Sequence, residues 1–161
     1  MNEFSVTVLG YSSAIPTSTR FPSAQIVSHN YQPFLVDCGE GTQIQLRKNQ
    51  VRFLKIHHIF ISHMHGDHFF GLVGLISSFN LLGRKEDLNV YGPYEIKEVI
   101  EMQLNITLTK LNFSINYHVL NFEDKQLIYE DKRLEIFSFP LIHSIPTCGF
   151  LFKEKVHPRK I

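Results

Sequence analysis

Nine histidines are spread over 161 residues, and four metal-capable side chains fall within six consecutive positions: His63-Met64-His65-Gly66-Asp67-His68. Imidazole is the usual ligand for divalent zinc, and a carboxylate adds charge neutralisation and a hard oxygen. The pairing of His63 with His65, and of Asp67 with His68, points to two neighbouring metals rather than one. Two cations ~3.5–4 Å apart can clamp the attacking and leaving oxygens of a displacement. A histidine-rich loop can also be a surface accident; the glycine at the tight turn and the apolar run before it argue for a built site. His143 lies between Pro140 and Pro146, placed to complete a three-histidine set with His63 and His65, although alone it would read as a surface histidine. Asp37 precedes Gly39 and Gly41 and has two compatible readings. It is either a helix cap or an acceptor for the second ring nitrogen of a ligating imidazole.

These side chains need elements to hold them. Phe4, Val6 and Val8 alternate with polar neighbours as in a strand, ended by Gly10 and Ser12–Pro16. Ala24–Ser28 and Phe34–Val36 read as two more strands with His29-Asn30 in a turn, and a helix restarts after Gly41 with Thr42 as its cap. His58–Ile61 is a short apolar run suited to a buried strand, and the histidine cluster is the loop that leaves it. Leu72, Leu75, Ile76 and Phe79 have helical spacing within Phe69–Leu82. Leu88–Tyr91 is a strand, Tyr94–Leu104 a helix, and a period of two returns in 113–120, 126–130, 133–139 and 148–153. The order predicts a layered α/β architecture. No linker or repeat interrupts it, so the chain reads as one unit. His57, His58, His118 and His157, like His29, receive no chemical role.

Composition narrows the function classes. Lys plus Arg is 16 and Asp plus Glu 15, a net charge of +1, so any nucleic-acid partner must be held by a local patch or another segment. Lys153, Lys155, Arg159 and Lys160 near the C-terminus are either phosphate contacts or a solvated tail. No apolar run reaches the ~18 residues that span a bilayer, so no membrane partner is expected. The N-terminus lacks a secretory pattern, and Cys38 and Cys148 read as reduced thiols in the cytoplasm. The sequons at Asn105 and Asn112 carry no meaning without secretion.

The cluster His63–His68 resembles the His-x-His-x-Asp-His signature of the metallo-β-lactamase superfamily. Within it, Gly10–Thr17 with Arg20, Phe34–Gln43, Ile59–Leu75 and His143–Phe150 resemble the ribonuclease Z family, tRNA 3′ endonucleases, in order along essentially the whole chain. The resemblance implies an α/β, metallo-β-lactamase-like αββα sandwich, of which residues 1–161 supply the N-terminal half and the C-terminal half is missing. It implies two Zn2+ per complete site: His63, His65 and His143 on the first zinc, Asp67 and His68 on the second, with Asp67 also the proton acceptor. The implied reaction is attack of a metal-bridged hydroxide on precursor tRNA, releasing the 3′ trailer and leaving a tRNA 3′-hydroxyl. Family members run to about twice this length, and their second half carries the carboxylate that bridges both metals, a last histidine and the arm that grips tRNA. The fragment alone is therefore expected to bind zinc weakly, to be inactive, and to self-associate as a homodimer through an unpartnered sheet face. Two alternatives stay open. One is another hydrolase of the same fold, acting on a thioester, sulfate ester or cyclic phosphodiester, and the other is a non-catalytic remnant.

Overall fold

A computed structural model describes residues 4–156. Three hydrophobic segments of period two open the chain as β1 (Phe4–Gly10), β2 (Ala24–His29) and β3 (Gln32–Val36), paired antiparallel. From β3 onward the strands β4 (His58–Phe60), β5 (Leu88–Gly92) and β6 (Ile115–Val119) pair in parallel, giving a six-stranded sheet in sequence order. Parallel neighbours need a crossover, and helices supply each one. These are α1 (Thr42–Lys48), then α2 (Gly66–Phe69) with α3 (Leu72–Leu81), then α4 (Glu95–Ile106). Their apolar stripes cover one face of the sheet, where Ile26, Leu35, Ile59 and Val90 meet Leu46, Leu75, Ile76, Phe79 and Ile100.

The described residues divide into two compact units after Val119, where the sequence reads as one. The second unit holds β7 (Gln126–Glu130), β8 (Leu134–Leu141) and β9 (Thr147–Glu154) as an antiparallel meander. Leu134 and Ile136 are buried there.

Several expectations are corrected. His29 is the last residue of β2 rather than part of a turn, buried with its ring edge-on to Phe4 at 5.4 Å; the turn is Asn30-Tyr31, both at positive φ. Thr42 does not cap α1. Gly41 is the N-cap, and the Thr42 hydroxyl donates instead to the Gly39 carbonyl at 2.7 Å. The helical spacing within 69–82 is realised as α3, and a separate single turn, α2, precedes it, beginning inside the histidine cluster at Gly66. His157, Arg159 and Lys160 lie outside the described residues.

Arg84 is the largest fully buried side chain. Gly83 ends α3 at φ +79, a left-handed conformation natural to glycine, and the Arg84 amide bonds back to the Phe79 carbonyl at 3.0 Å. The guanidinium then turns inward. Its Nε donates to the Glu86 carbonyl at 2.7 Å, one terminal nitrogen to the Ile56 carbonyl at 2.9 Å, the other to the Asp87 carbonyl at 2.8 Å. Its plane lies over Phe79 and Phe113, 5.1 and 5.3 Å from the ring centroids. One planar fork thus satisfies the carbonyls where the chain enters β4 and β5, a geometry lysine cannot reproduce. Arg84→Met is expected to leave these carbonyls unpaired and to cost about 3 kcal/mol, read as a lower urea midpoint; an unchanged midpoint contradicts the bracing role.

Candidate metal centre

Parallel strands deliver their exits to the same edge of a sheet, and this brings the chemistry together. Val36 pairs with Phe60, and the Asp37 amide donates to the Phe60 carbonyl at 2.8 Å, so β3 and β4 end side by side. Beyond them lie Asp37 on one strand exit and Ser62-His63 on the other. Asp37 is buried and sits at φ 57, a left-handed conformation that costs a non-glycine residue about 1 kcal/mol. That turn aims its carboxylate into the cluster. Oδ2 accepts from the Ser23 hydroxyl at 3.0 Å and from His68 Nδ1 at 2.7 Å, while Oδ1 accepts from the Ser62 amide at 2.9 Å. Of the two readings of Asp37, the acceptor of an imidazole N–H matches this geometry, and the helix-cap reading does not.

The histidines fall into pairs. Nδ1 of the buried His63 meets the Ser62 hydroxyl at 2.9 Å, which leaves Nε2 facing Nδ1 of His65 at 3.1 Å. Two nitrogens bound to one tetrahedral zinc at about 2.0–2.1 Å stand roughly 3.3–3.4 Å apart, so this spacing fits a shared cation. Held by Asp37 through Nδ1, His68 offers Nε2 beside the Asp67 carboxylate, 3.7 Å away. The His63 and His68 rings are 4.0 Å apart, so the pairs are neighbours. Asp67 and His68 stand on the single helical turn of α2, not on an open loop.

Charge is tuned to match. Burial works to lower the His68 pKa, but the hydrogen bond and charge of Asp37, with Asp67 behind, raise it above the ordinary histidine value. Burial works to raise the Asp67 pKa, yet the Ala14 amide donating to Oδ2 at 2.9 Å and the nearby His68 hold it below the usual carboxylate range. Ser62 and Ala14 were missed by sequence reasoning. Ser62 stands beside the first histidine, where a short hydroxyl can reach a ring nitrogen. Ala14 carries no signal, because its contribution is a backbone N–H from 53 residues away.

Two backbone segments hold the cluster by direct contact. The Cys38 amide donates to the His68 carbonyl at 2.7 Å, and the Gly71 amide to the Cys38 carbonyl at 2.9 Å. A Cβ on Gly71 would lie 2.2 Å from the Gly39 carbonyl oxygen, and one on Gly39 2.4 Å from the Asp67 carbonyl oxygen. His143 belongs to the second unit, exposed in the connection from β8 to β9, where the Thr147 hydroxyl bonds the Ile145 carbonyl at 2.8 Å.

The sheet with its crossover helices and the cluster at its carboxyl edge define a metallo-β-lactamase fold. The metallo-β-lactamase fold protein YhfI from Bacillus subtilis matches 92% of this chain and 56% of its own at a TM-score of 0.69 and 19% identity. By sequence, the chain belongs to the family whose model is described as anti-Pycsar protein Apyc1, which matches residues 4–157. It is also similar to proteins named ribonuclease Z. The one from Bacteroides fragilis is 43% identical over all of this chain and 53% of its own length, and the one from Bacteroides thetaiotaomicron 43% identical over 51% of its length. Human tRNase Z, short form, is 34% identical and superposes on 96% of this chain and 65% of its own with a TM-score of 0.85. The chain spans about half the length of the curated relatives it matches.

Gly71→Ala is expected to force the two site-bearing segments apart and to lower stability by about 2 kcal/mol. Equal urea midpoints for variant and parent would show that the close approach is not needed.

Proposed function

We propose that this chain is the N-terminal half of a metal-dependent endoribonuclease that removes the 3′ trailer from precursor tRNA and leaves a 3′-hydroxyl. The observation that carries the reading is the paired cluster itself, His63 with His65 and Asp67 with His68, in a chain 43% identical to proteins named ribonuclease Z. His63 Nε2, His65 Nδ1 and His143 would hold one zinc, and Asp67 and His68 the second. The donor set supports this, since neutral imidazoles and a carboxylate suit zinc. When bound, zinc lowers the pKa of water to about 7 and neutralises charge growing on phosphoryl oxygens.

The remaining work falls to the protein's own groups. Asp37 fixes His68 through its Nδ1–H, which turns Nε2 toward Asp67. The Ser62 hydroxyl likewise engages His63 Nδ1, which leaves Nε2 toward His65. Asp67, kept ionised by the Ala14 amide, is the proton acceptor for the attacking water, a role worth 10²–10⁴-fold in rate. The reading places the reaction in the cytoplasm, in keeping with the buried thiols Cys38 and Cys148.

A second reading has its own observation. The matching family model is not named for ribonuclease Z, and the alternative is a hydrolase of the same fold that uses the same groups on a small cyclic phosphodiester. Parallel assays of the whole protein on precursor tRNA and on a cyclic nucleotide separate the two. Trailer release abolished by Asp67→Ala supports the endonuclease, and cyclic-nucleotide opening without it supports the alternative.

Self-association is part of the proposal. Along β1, Phe4, Val6 and Val8 are 43%, 58% and 55% exposed on one face of the strand. A second copy covering that row makes a homodimer. Light scattering is expected to give a mass above that of one chain, with Val6→Lys/Val8→Lys returning it to the monomer; a monomeric parent at high concentration contradicts this.

Zinc calorimetry on the chain is expected to show weak binding that His63→Ala/His65→Ala removes and Asp37→Asn weakens 10–100-fold. Zinc binding indifferent to all three substitutions overturns the ligand assignment.

A further inference from the structure

At the opposite end of the sheet from the histidines lies a groove of about 700 Å3 that the proposed reaction does not use. It opens between the polar row of β1 and β2 and the segment that joins α1 to β4. Its floor is Ser5 and Ser28, which are cross-strand partners, and its far wall carries Arg52, Lys55 and His57. His57 immediately precedes β4 and His63 follows it by six positions, so at ~3.3 Å per strand residue the groove and the cluster are ~20 Å apart.

The lining chemistry is one-sided. Hydroxyls, amides and cations line the groove beside Ile26, Pro33 and Val51, and no Asp or Glu is among the lining residues. The run Arg47-Lys48-Asn49-Gln50-Val51-Arg52-Phe53-Leu54-Lys55 holds four cations and no acid in a chain of net charge +1. Arg47 and Lys48 answer the carboxyl end of α1 and lie over Phe53 and Phe21. Arg52 and Lys55 are exposed and form no ion pair among the described residues. The Arg84 guanidinium can only donate, so His57 Nδ1, 3.3 Å away, accepts, and the ring proton sits on Nε2. That leaves His57 a neutral donor.

The rim carries a second, independent feature. Asn30 and Tyr31 are the two central residues of the β2–β3 hairpin, at φ 51 and 64. Such a turn favours glycine at its second central position. Tyrosine there is strained by about 1 kcal/mol, and the residue is 80% exposed, so packing within the described residues does not explain it. An aromatic face held out beside a cationic, hydroxyl-rich groove is the arrangement that binds single-stranded nucleic acid, with a base stacked on the ring and phosphates on the cations.

We propose that this groove binds a single-stranded RNA segment, with Tyr31 stacking a base and Arg52 and Lys55 neutralising its phosphates. This goes beyond the proposed cleavage and does not depend on it, since none of the groove residues belongs to the histidine cluster.

The test is fluorescence anisotropy of a labelled twelve-nucleotide oligouridine titrated with the chain in EDTA, across a salt series. Binding is expected to weaken about tenfold for Tyr31→Asn, a residue that suits the turn and removes the ring. For Arg52→Gln/Lys55→Gln, affinity is expected to fall about tenfold at low salt, and the slope of log K on log salt to flatten by about 1.4. His63→Ala/His65→Ala is expected to bind as the parent does, which separates failure of this proposal from failure of the cleavage reading. All substituted groove positions are exposed, and matching circular dichroism and urea midpoints confirm that the variants fold. No binding by the parent, or binding unchanged in both groove variants, overturns the proposal. Equal binding of a sulfated polysaccharide of the same charge that Tyr31→Asn leaves untouched also overturns it, since it shows an unspecific anion surface.

Discussion

The Asp37 carboxylate is the interaction on which the rest of the site depends. It is buried, strained in backbone, and accepts from Ser23, Ser62 and His68, which lie 14, 25 and 31 residues away in the sequence. A buried anion without such donors would be very unfavourable; with them it becomes a fixed post against which an imidazole is oriented. His68 can present Nε2 to the cluster only because its other nitrogen is committed. Raising the His68 pKa and orienting its ring are consequences of the same bond.

That post stands where it does because of sheet direction. β3 and β4 run parallel and in register, so Asp37 and His63 leave adjacent strands at the same edge. The crossover helices bury the sheet's apolar face, and Arg84 braces the entry side by satisfying three carbonyls. Metal-capable side chains therefore gather at one end of the strands and structural bracing at the other. The groove beside His57 lies on the braced end, which leaves it free of the constraints of the cluster.

Much of this was legible in the chain. Alternation revealed β1, helical spacing revealed α3 and α4, and the density of histidines marked the cluster without any structure. What escaped had a physical reason in each case. Arg84 sits in Gly83-Arg84-Lys85-Glu86-Asp87, a charge run that looks solvated, and only tertiary contacts reveal a buried fork. α2 is a single turn, too short for any periodicity to register. His29 belongs to a strand because Gln32 extends β3 to pair with it, a cross-strand effect absent from local propensity. The Ala14 amide reaches Asp67 across 53 residues, and no pattern of side-chain types encodes a backbone donor. The division after Val119 falls in an ordinary stretch with no Gly, Pro or Ser signal.

The most direct measurement is a crystal of the zinc-soaked chain with diffraction recorded at the zinc edge. The account predicts an anomalous peak about 2.0–2.1 Å from both His63 Nε2 and His65 Nδ1, with His68 still donating Nδ1–H to Asp37. Zinc bound away from His63 and His65, or on His68 Nδ1 with Asp37 displaced, would contradict it.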